Sequence, residues 1–175
     1  VEALQCLSVH GSEEVGRAMC LEVEFTSGEY LDVRTFLGTW GALQLDGEHA
    51  TRSLLGLVCR MTHVARPGQH QADGLRYCYQ VRLESGIARL RLTRRSRTFQ
   101  NLSLPEIARQ LLLASGWDNE TIELRLSETH AVQRYVVQYD ETDEDFLRRL
   151  CERAGLYFYF QNTARGEPRE VCILT

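Results

Sequence analysis

Five carboxylates lie within six consecutive positions of the C-terminal half of the chain: Asp140, Glu141, Asp143, Glu144 and Asp145. Such a cluster could hold a calcium ion or supply a pair of carboxylates for acid–base chemistry. However, it lacks the D-x-D-x-D-G spacing of a calcium loop, and no histidine adjoins it. Because carboxylates stabilise the positive end of a helix dipole, this acidic cluster fits the start of a helix better.

A second charged group, the arginine stripe, places five arginines within nine residues: Arg89, Arg91, Arg94, Arg95 and Arg97. Leu90, Leu92 and Phe99 interleave with them, and such a pattern can follow the phosphates of a nucleic acid. Nucleic-acid domains are usually basic throughout, whereas this chain carries a net charge of −4. The stripe therefore favours a solvated strand face or a subunit contact, with a nucleic-acid-binding module as the alternative.

His63 and His70 are separated by a predicted hairpin turn, so their imidazoles could meet at a metal ion. The sequence offers no clear third ligand for that ion. Together with the acidic cluster over 140–145, the pair defines a second alternative hypothesis, a metal-dependent hydrolase.

The six cysteines, at positions 6, 20, 59, 78, 151 and 172, never fall at a metal-binding spacing such as C-x2-C. Most lie within apolar patterns, which predicts buried, reduced thiols. The chain also lacks G-x-S-x-G, H-E-x-x-H, P-loop and dinucleotide-binding motifs. We therefore predict no catalytic, metal-binding or cofactor-binding residues and no cofactor.

The acidic cluster opens a segment whose spacing predicts a helix over 142–154. Thr142 can cap its first turn, and Gly155 can take the left-handed conformation that ends it. The buried face is predicted to consist of Phe146, Leu147, Leu150, Cys151 and Ala154. Immediately before this helix, the alternation of residues 134–139 predicts a strand.

The same frame occurs once earlier, over 103–115. Each cap is followed by an acid at +3, a large apolar residue at +4, a leucine at +8 and a glycine at +13. Counted from Ser103, these residues are Glu106, Ile107, Leu111 and Gly116. Counted from Thr142, they are Asp145, Phe146, Leu150 and Gly155. Ser103 and Glu106 also form a capping box. The repeat predicts two helices of one length and phase, each followed by strands.

Before Ser103 the pattern predicts strands at 2–9, 18–26, 40–46, 51–64 and 75–84, typical of a barrel or sandwich. Within this region we predict a helical turn at Asp32–Leu37, a bulge at Gly56 and a surface loop at 66–74. After Ser103 we predict, besides the two helices, strands at 121–126 and 133–139 and a hairpin over 156–174 with its turn at 162–168. This change predicts an α+β, mainly β chain with a boundary near residue 101.

At 175 residues and 43% hydrophobic content, the chain can bury a core in one domain or two small ones. No apolar run approaches the roughly 20 residues of a membrane helix, and no basic-then-apolar leader is present. The chain begins with Val1 and closes on the strand-like run 171–175. We therefore expect a fragment of a longer protein, truncated at its C-terminus.

The segment 138–160 resembles the signature of the VgrG family, the spike proteins of bacterial type VI secretion, which phage baseplate hubs share in weaker form. Four further stretches, at 9–11, 36–38, 55–58 and 96–107, follow in the order that the family shows. The resemblance thus covers nearly the whole chain. It departs at 84–90, where the family often has a proline- and tryptophan-rich stretch that forms a short helix.

The resemblance implies the hub-like base of a spike. An antiparallel, tail-tube-like β-barrel would occupy residues 1–100, and an α/β insertion with two helices would occupy residues 101–175. The family-signature residues would then be structural: Ser103, Glu106, Gly116, Gln138, Glu141, Thr142, Asp143, Phe146, Arg149, Leu150 and Gly155.

The implied function is mechanical and non-enzymatic. The full-length protein would be a homotrimer that sits on the tail-tube hexamer among baseplate components, helps puncture target envelopes and delivers effectors, directly or through adaptors. The fragment alone would trimerise weakly or remain monomeric. The resemblance implies no nucleic-acid partner and no stable membrane insertion by this fragment. The protein would be cytoplasmic during assembly and then leave through the type VI apparatus without a signal peptide.

Overall fold

The computed structural model describes residues 4–47, 51–65, 70–71, 74–163 and 169–175. The chain divides into two compact units. The first comprises Val1–Glu13 and Met19–Ser85, and the second comprises Glu14–Ala18 and Gly86–Thr175. Residues 86–100 thus group with the second unit, although the sequence placed the boundary near residue 101.

The first unit is built around a curled antiparallel sheet that forms a half-barrel. Its strands are β1 (Gln5–Ser12), β2 (Cys20–Ser27), β3 (Trp40–Asp46), β4 (Thr51–Val64), the short pair β5 (His70–Gln71) and β6 (Gly74–Leu75), and β7 (Tyr77–Glu84). Five of them form one sheet in the order β1-β2-β7-β4-β3. Alternate residues of β2 and β7 are buried, as period-two spacing requires for a sheet with one covered face. A core that includes Leu21, Val23 and Val81 covers that face.

The second unit contains both α-helices. Its elements are β8 (Arg94–Leu102), α1 (Leu104–Ala114), β9 (Ile122–Leu124), β10 (Gln133–Thr142), α2 (Asp143–Ala154), β11 (Phe158–Thr163) and β12 (Arg169–Leu174), preceded by a 3-10 helix over Gly86–Leu92. β8 and β10 form a two-stranded antiparallel ribbon. β11, β12 and β9 form a separate three-stranded sheet. The helices bury their apolar stripes in one core with Ile87, Leu90 and Val136.

The predicted fold class is confirmed: the chain is mainly β, with an antiparallel half-barrel and two helices. Both helices lie within one residue of the predicted spans, and the turn at 32–37 is a 3-10 helix over Val33–Thr35. The segment 84–90, where the family resemblance implied a short helix, contains the start of another 3-10 helix. The interior of the predicted loop at 66–74 and residues 164–168 of the predicted turn lie outside the described residues.

One local prediction was wrong, and another holds for only part of its residues. The irregularity of β4 against β7 lies between Val58 and Arg60, not at Gly56. Gly56 is instead needed for packing, because a Cβ there would lie 3.0 Å from Leu83 Cβ. The prediction of buried thiols holds for Cys78, Cys151 and Cys172, whereas Cys6 and Cys59 are exposed.

Candidate functional site

The acidic cluster and the arginine stripe meet in the second unit. The arginines of β8 lie opposite the end of β10, where Arg95 pairs with Glu141 and Arg94 with Thr142 in the antiparallel register. Helix α2 follows β10 without a loop, so its acidic first turn begins at the same place. The two charged groups that the sequence offered as separate functional sites are therefore partners of each other.

Asp143 is the centre of this arrangement and is 3% exposed. Its Oδ1 accepts hydrogen bonds from Arg97 Nη2 at 2.9 Å and from Gln138 Nε2 at 2.8 Å. Its Oδ2 accepts a hydrogen bond from Thr93 Oγ1 at 2.9 Å, and its backbone N–H donates to Thr93 O at 3.1 Å. Arg97, Gln138, Asp143 and Thr93 together form what we term the Asp143 network. The buried carboxylate is therefore satisfied by protein groups, as a buried charge must be.

The remaining charges pair around the Asp143 network. Glu144, 5% exposed, bonds to Arg91 and lies 3.5 Å from Arg148. Glu141 Oε1 accepts a hydrogen bond from Arg149 Nη2 at 2.5 Å. The exposed pair Arg94 and Asp140 has a 3.3 Å separation between Nη1 and Oδ1. Four of the five stripe arginines thus pair with carboxylates of the acidic cluster, which offsets their charge locally.

Gln138 is completely buried although it is polar. Its Oε1 accepts from Arg97 Nε at 2.7 Å, and its Nε2 donates to Asp143 and also to Glu141 O at 3.2 Å. The contact with Glu141 spans a β-bulge, because β10 advances three residues from Gln138 to Glu141 while β8 advances two. Within the bulge, Asp140 has φ +43°, in the left-handed region that aspartate tolerates better than most residues.

An aromatic stack lies beside the network. The rings of Phe99 on β8 and Phe146 on α2 are stacked, with centroids 5.6 Å apart. Arg97 lies over the Phe99 ring at 5.0 Å, and Arg149 lies over the Phe146 ring at 5.1 Å. These cation–π contacts join charged side chains to the apolar core and help to fix the rotamers of the two arginines.

The pKa values of two arginines report these surroundings. Burial lowers the pKa of Arg97, and the charge of Asp143 opposes that shift. The hydrogen bond from Arg149 to Glu141 raises the pKa of Arg149. Both guanidinium groups remain charged at neutral pH, because an arginine side chain is a strong base.

Most of the other predicted signature residues lie at the ends of the two helices. Glu106 accepts hydrogen bonds from the backbone N–H and the hydroxyl of Ser103, each at 2.7 Å, and completes the predicted capping box. Thr142 Oγ1 accepts a hydrogen bond from Asp145 N at 3.1 Å. Gly116 and Gly155 follow α1 and α2 with φ +94° and +67°. Leu150, 1% exposed, belongs to the core of the second unit.

The described residues contain no group of three or more histidine, cysteine, aspartate or glutamate side chains placed to hold a metal ion. His63 packs instead among aromatic rings, 5.4 Å from Tyr79 and 6.0 Å from Tyr77. The side chain of His70 lies outside the described residues. Neither the hydrolase alternative nor the nucleic-acid alternative is supported.

The sequence patterns did not indicate that Thr93 belongs to the site or that Arg97 is the partner of Asp143. An available signal was the charge balance itself, since five carboxylates and five arginines occur in two short segments.

The described residues also contain no helix with the length and apolar character needed to cross a membrane.

The model of the phage tail baseplate hub (GPD) family matches residues 12–174. Among curated proteins, the type VI secretion system spike protein VgrG1c of Pseudomonas aeruginosa is 32% identical over 99% of this chain and 23% of its own length. VgrG1b of the same organism is 31% identical over 99% of this chain and 22% of its own length. The chain thus spans less than a quarter of these two relatives.

Solved structures show the same likeness. The E. coli c3393 protein, a type VI secretion component with structural similarity to the T4 tail proteins gp27 and gp5, matches with a TM-score of 0.87 and 25% identity. That match covers 98% of this chain and 46% of the c3393 chain. A chain of the Francisella PdpA–VgrG complex matches with a TM-score of 0.59 and 12% identity, over 98% of this chain and 26% of that one. This second likeness shows the fold alone.

Proposed function

The chain belongs to the phage tail baseplate hub (GPD) family, and from that premise we propose that it forms part of the base of a type VI secretion spike. The observation that carries the proposal is the match of 98% of the chain to the c3393 protein at a TM-score of 0.87. Relatives described as type VI spike proteins, aligned over nearly the whole chain, support the same role.

We assign the half-barrel unit to the tail-tube-like part of the hub and the helix-bearing unit to the α/β insertion. The contacts favour placing their boundary at Gly86 rather than near residue 101. In this proposal the arginine stripe and the acidic cluster serve the insertion internally, because most of their charges pair with each other. The role of the signature residues is therefore to hold the insertion in one rigid shape.

The partners follow from this role. The full-length protein forms a homotrimer, sits on the tail-tube hexamer among baseplate components, and carries effectors directly or through adaptors. It assembles in the cytoplasm and leaves the cell through the type VI apparatus. In this proposal the region contributes mechanical support and no catalytic group. Activity against target cells would reside in other proteins or in other parts of the full-length protein.

The proposal is tested by deleting the encoding gene in a host strain from which every other spike gene of the same family has been removed. We expect the deletion to abolish release of the tail-tube protein into the medium and killing of a susceptible competitor. The complete gene should restore both, whereas a version that lacks residues 12–174 should restore neither. A matched control with Glu123→Gln, which alters only an exposed ion pair, should restore both activities.

Two results would contradict the proposal. One is wild-type release of the tube protein from a strain that lacks this gene and every other spike gene of the same family. The other is full complementation by the version that lacks residues 12–174. The amount of each protein in the cells is measured by immunoblot, so that loss of expression is not read as loss of function.

A further inference from the structure

The faces of strand β10 are reversed relative to the hydrophobicity of its sequence. Tyr135, Val137 and Tyr139 lie on the outer face and are 63%, 42% and 79% exposed. The inner face carries Val136 and Gln138, which are 3% and 0% exposed. Because burial of apolar area stabilises a fold, the outer three residues would by themselves favour the inner face.

The bulge at Asp140 determines which face is buried. If the unchanged residues of β10 paired one to one with β8, without a bulge, Glu141 would stay opposite Arg95 and each residue up to Tyr139 would face a partner one position further along β8. Side chains alternate with a period of two, so this shift would turn Tyr135, Val137 and Tyr139 inward. In the structure, three steps along β10 match two steps along β8, and these residues stay outside.

The Asp143 network is in the right place to select the bulged register. Gln138 bonds to Glu141 O across the bulge, and its two other bonds go to Arg97 and Asp143. In the bulge-free register, Gln138 would lie opposite Thr98 on the outer face and these three bonds would be lost. Asp143 would then keep Arg97 and Thr93 but lose one buried donor, which disfavours that register.

We propose that the Asp143 network is a register lock, which holds the β-bulge at Asp140 and thereby keeps the Tyr135, Val137 and Tyr139 face on the surface. Buried polar groups can specify one arrangement over a competing arrangement with greater apolar burial, and register selection is the best attested form of this role. The lock is a property of the second unit and is independent of the proposed secretion function.

Two engineered disulfides distinguish the registers. Val137 lies opposite Thr98 on the outer face of the observed ribbon, so Thr98→Cys with Val137→Cys reports the bulged register. In the bulge-free register Val136 would lie opposite Gln100 instead. Gln100→Cys with Val136→Cys therefore reports that register. Each pair is introduced into the whole chain with Cys6, Cys20 and Cys59 replaced by serine, and oxidised with glutathione disulfide.

With the lock intact, we expect only the first pair to crosslink efficiently. Arg97→Ala with Asp143→Ala removes both charged partners of Gln138 and should lower the ratio of the first crosslink to the second by about tenfold or more, as loss of buried hydrogen bonds to charged groups implies. Glu123→Gln, at an exposed ion pair elsewhere in the same unit, should leave the ratio unchanged.

Deletion of Asp140 provides the rescue. It removes the extra residue, so Gln138 can stay opposite Arg97 in a regular ladder without a lock. Added to Arg97→Ala with Asp143→Ala, this deletion should restore the first crosslink. If the double variant fails to fold but the version with the deletion folds and crosslinks at the first pair, the inference is also supported.

Two outcomes would overturn it. A folded double variant, judged by circular dichroism, that keeps the wild-type crosslink ratio would show that the network does not select the register. Failure of both the double variant and its Asp140-deleted form to fold would show that the network is needed for folding in general.

Discussion

Asp143 and Arg97 are 46 residues apart in the sequence, yet Arg97 Nη2 donates to Asp143 Oδ1 at 2.9 Å. The aspartate side chain is 4% exposed and the arginine side chain 26% exposed. This contact ties the first turn of α2 to β8 and brings together the two most charged segments of the chain.

Asp143→Ala is expected to lower the free energy of unfolding by about 3 kcal/mol, because it leaves Arg97 and Gln138 without their shared acceptor. The measurement is urea unfolding followed by tryptophan fluorescence in a Trp40→Phe background, so that the signal comes from Trp117, which is 8% exposed. The control is Glu123→Gln, where both side chains of the ion pair are about half exposed, and we expect it to cost clearly less than Asp143→Ala. Equal costs for the two variants would contradict the prediction.

Leu150→Ala should cost about 2 to 5 kcal/mol, since truncation of a fully buried leucine loses apolar contact and leaves a cavity. Leu150 is 1% exposed. The matched variant is Leu113→Ala on α1, where the leucine is 37% exposed. We expect Leu113→Ala to cost less than half as much in the same unfolding experiment. A loss below about 1 kcal/mol for Leu150→Ala would mean that the α2 stripe does not support the core.

Gly155→Ala should destabilise the chain by about 1 to 2 kcal/mol through backbone strain alone. Gly155 has φ +67°, and a Cβ built there would meet no atom within 4 Å. Steric overlap is therefore not a cause, and Gly155→Asn should cost less because asparagine tolerates this conformation better. Thermal unfolding of the two variants gives the comparison. An alanine variant at least as stable as the asparagine variant would refute it.

Acid should weaken the N-terminus of α1. Hydrogen bonds from Ser103 lower the pKa of Glu106 below its ordinary value of 4.5. A carboxylate with a lowered pKa contributes stability above its unfolded pKa, and that contribution is lost as the pH falls through the folded value. We therefore expect Glu106→Gln to flatten the decline in unfolding free energy below pH 4.5, measured by urea titrations at several pH values. If the unfolding free energy of Glu106→Gln declined as steeply below pH 4.5 as that of the unaltered protein, the prediction would be contradicted.

Buried thiols should resist modification at neutral pH. Burial raises the pKa of Cys151 to about 12, and burial also raises the pKa of Cys172. Both thiols thus remain protonated, and their stabilising contribution falls only as the pH rises above the ordinary thiol value of 9.0. With a chromogenic disulfide reagent for thiols, the exposed Cys6 and Cys59 should react in the folded protein. Cys151 and Cys172 should react only after denaturation, and rapid labelling of either would contradict their burial.

The sequence by itself determined the two helices, because their signals are local. A hydroxyl cap, an acid three residues later, apolar residues at +4 and +8 and a terminal glycine act within one helix length. The structure accordingly places Ile107, Phe146, Leu111 and Leu150 in the core at 0 to 1% exposure. The half-barrel strands were also predictable where alternation was regular, as in β2 and β7.

Only the tertiary structure decided how the charged segments are used. Local spacing gives no information on whether Arg97 faces solvent, a phosphate or Asp143, because that choice depends on how β8 and β10 pair across a long separation. It also decided that Gln138 is buried while Tyr139 is 79% exposed. A single extra residue at Asp140 reverses the faces of the strand, and the hydrogen bonds that accompany this reversal form only when β8, β10 and α2 are in place.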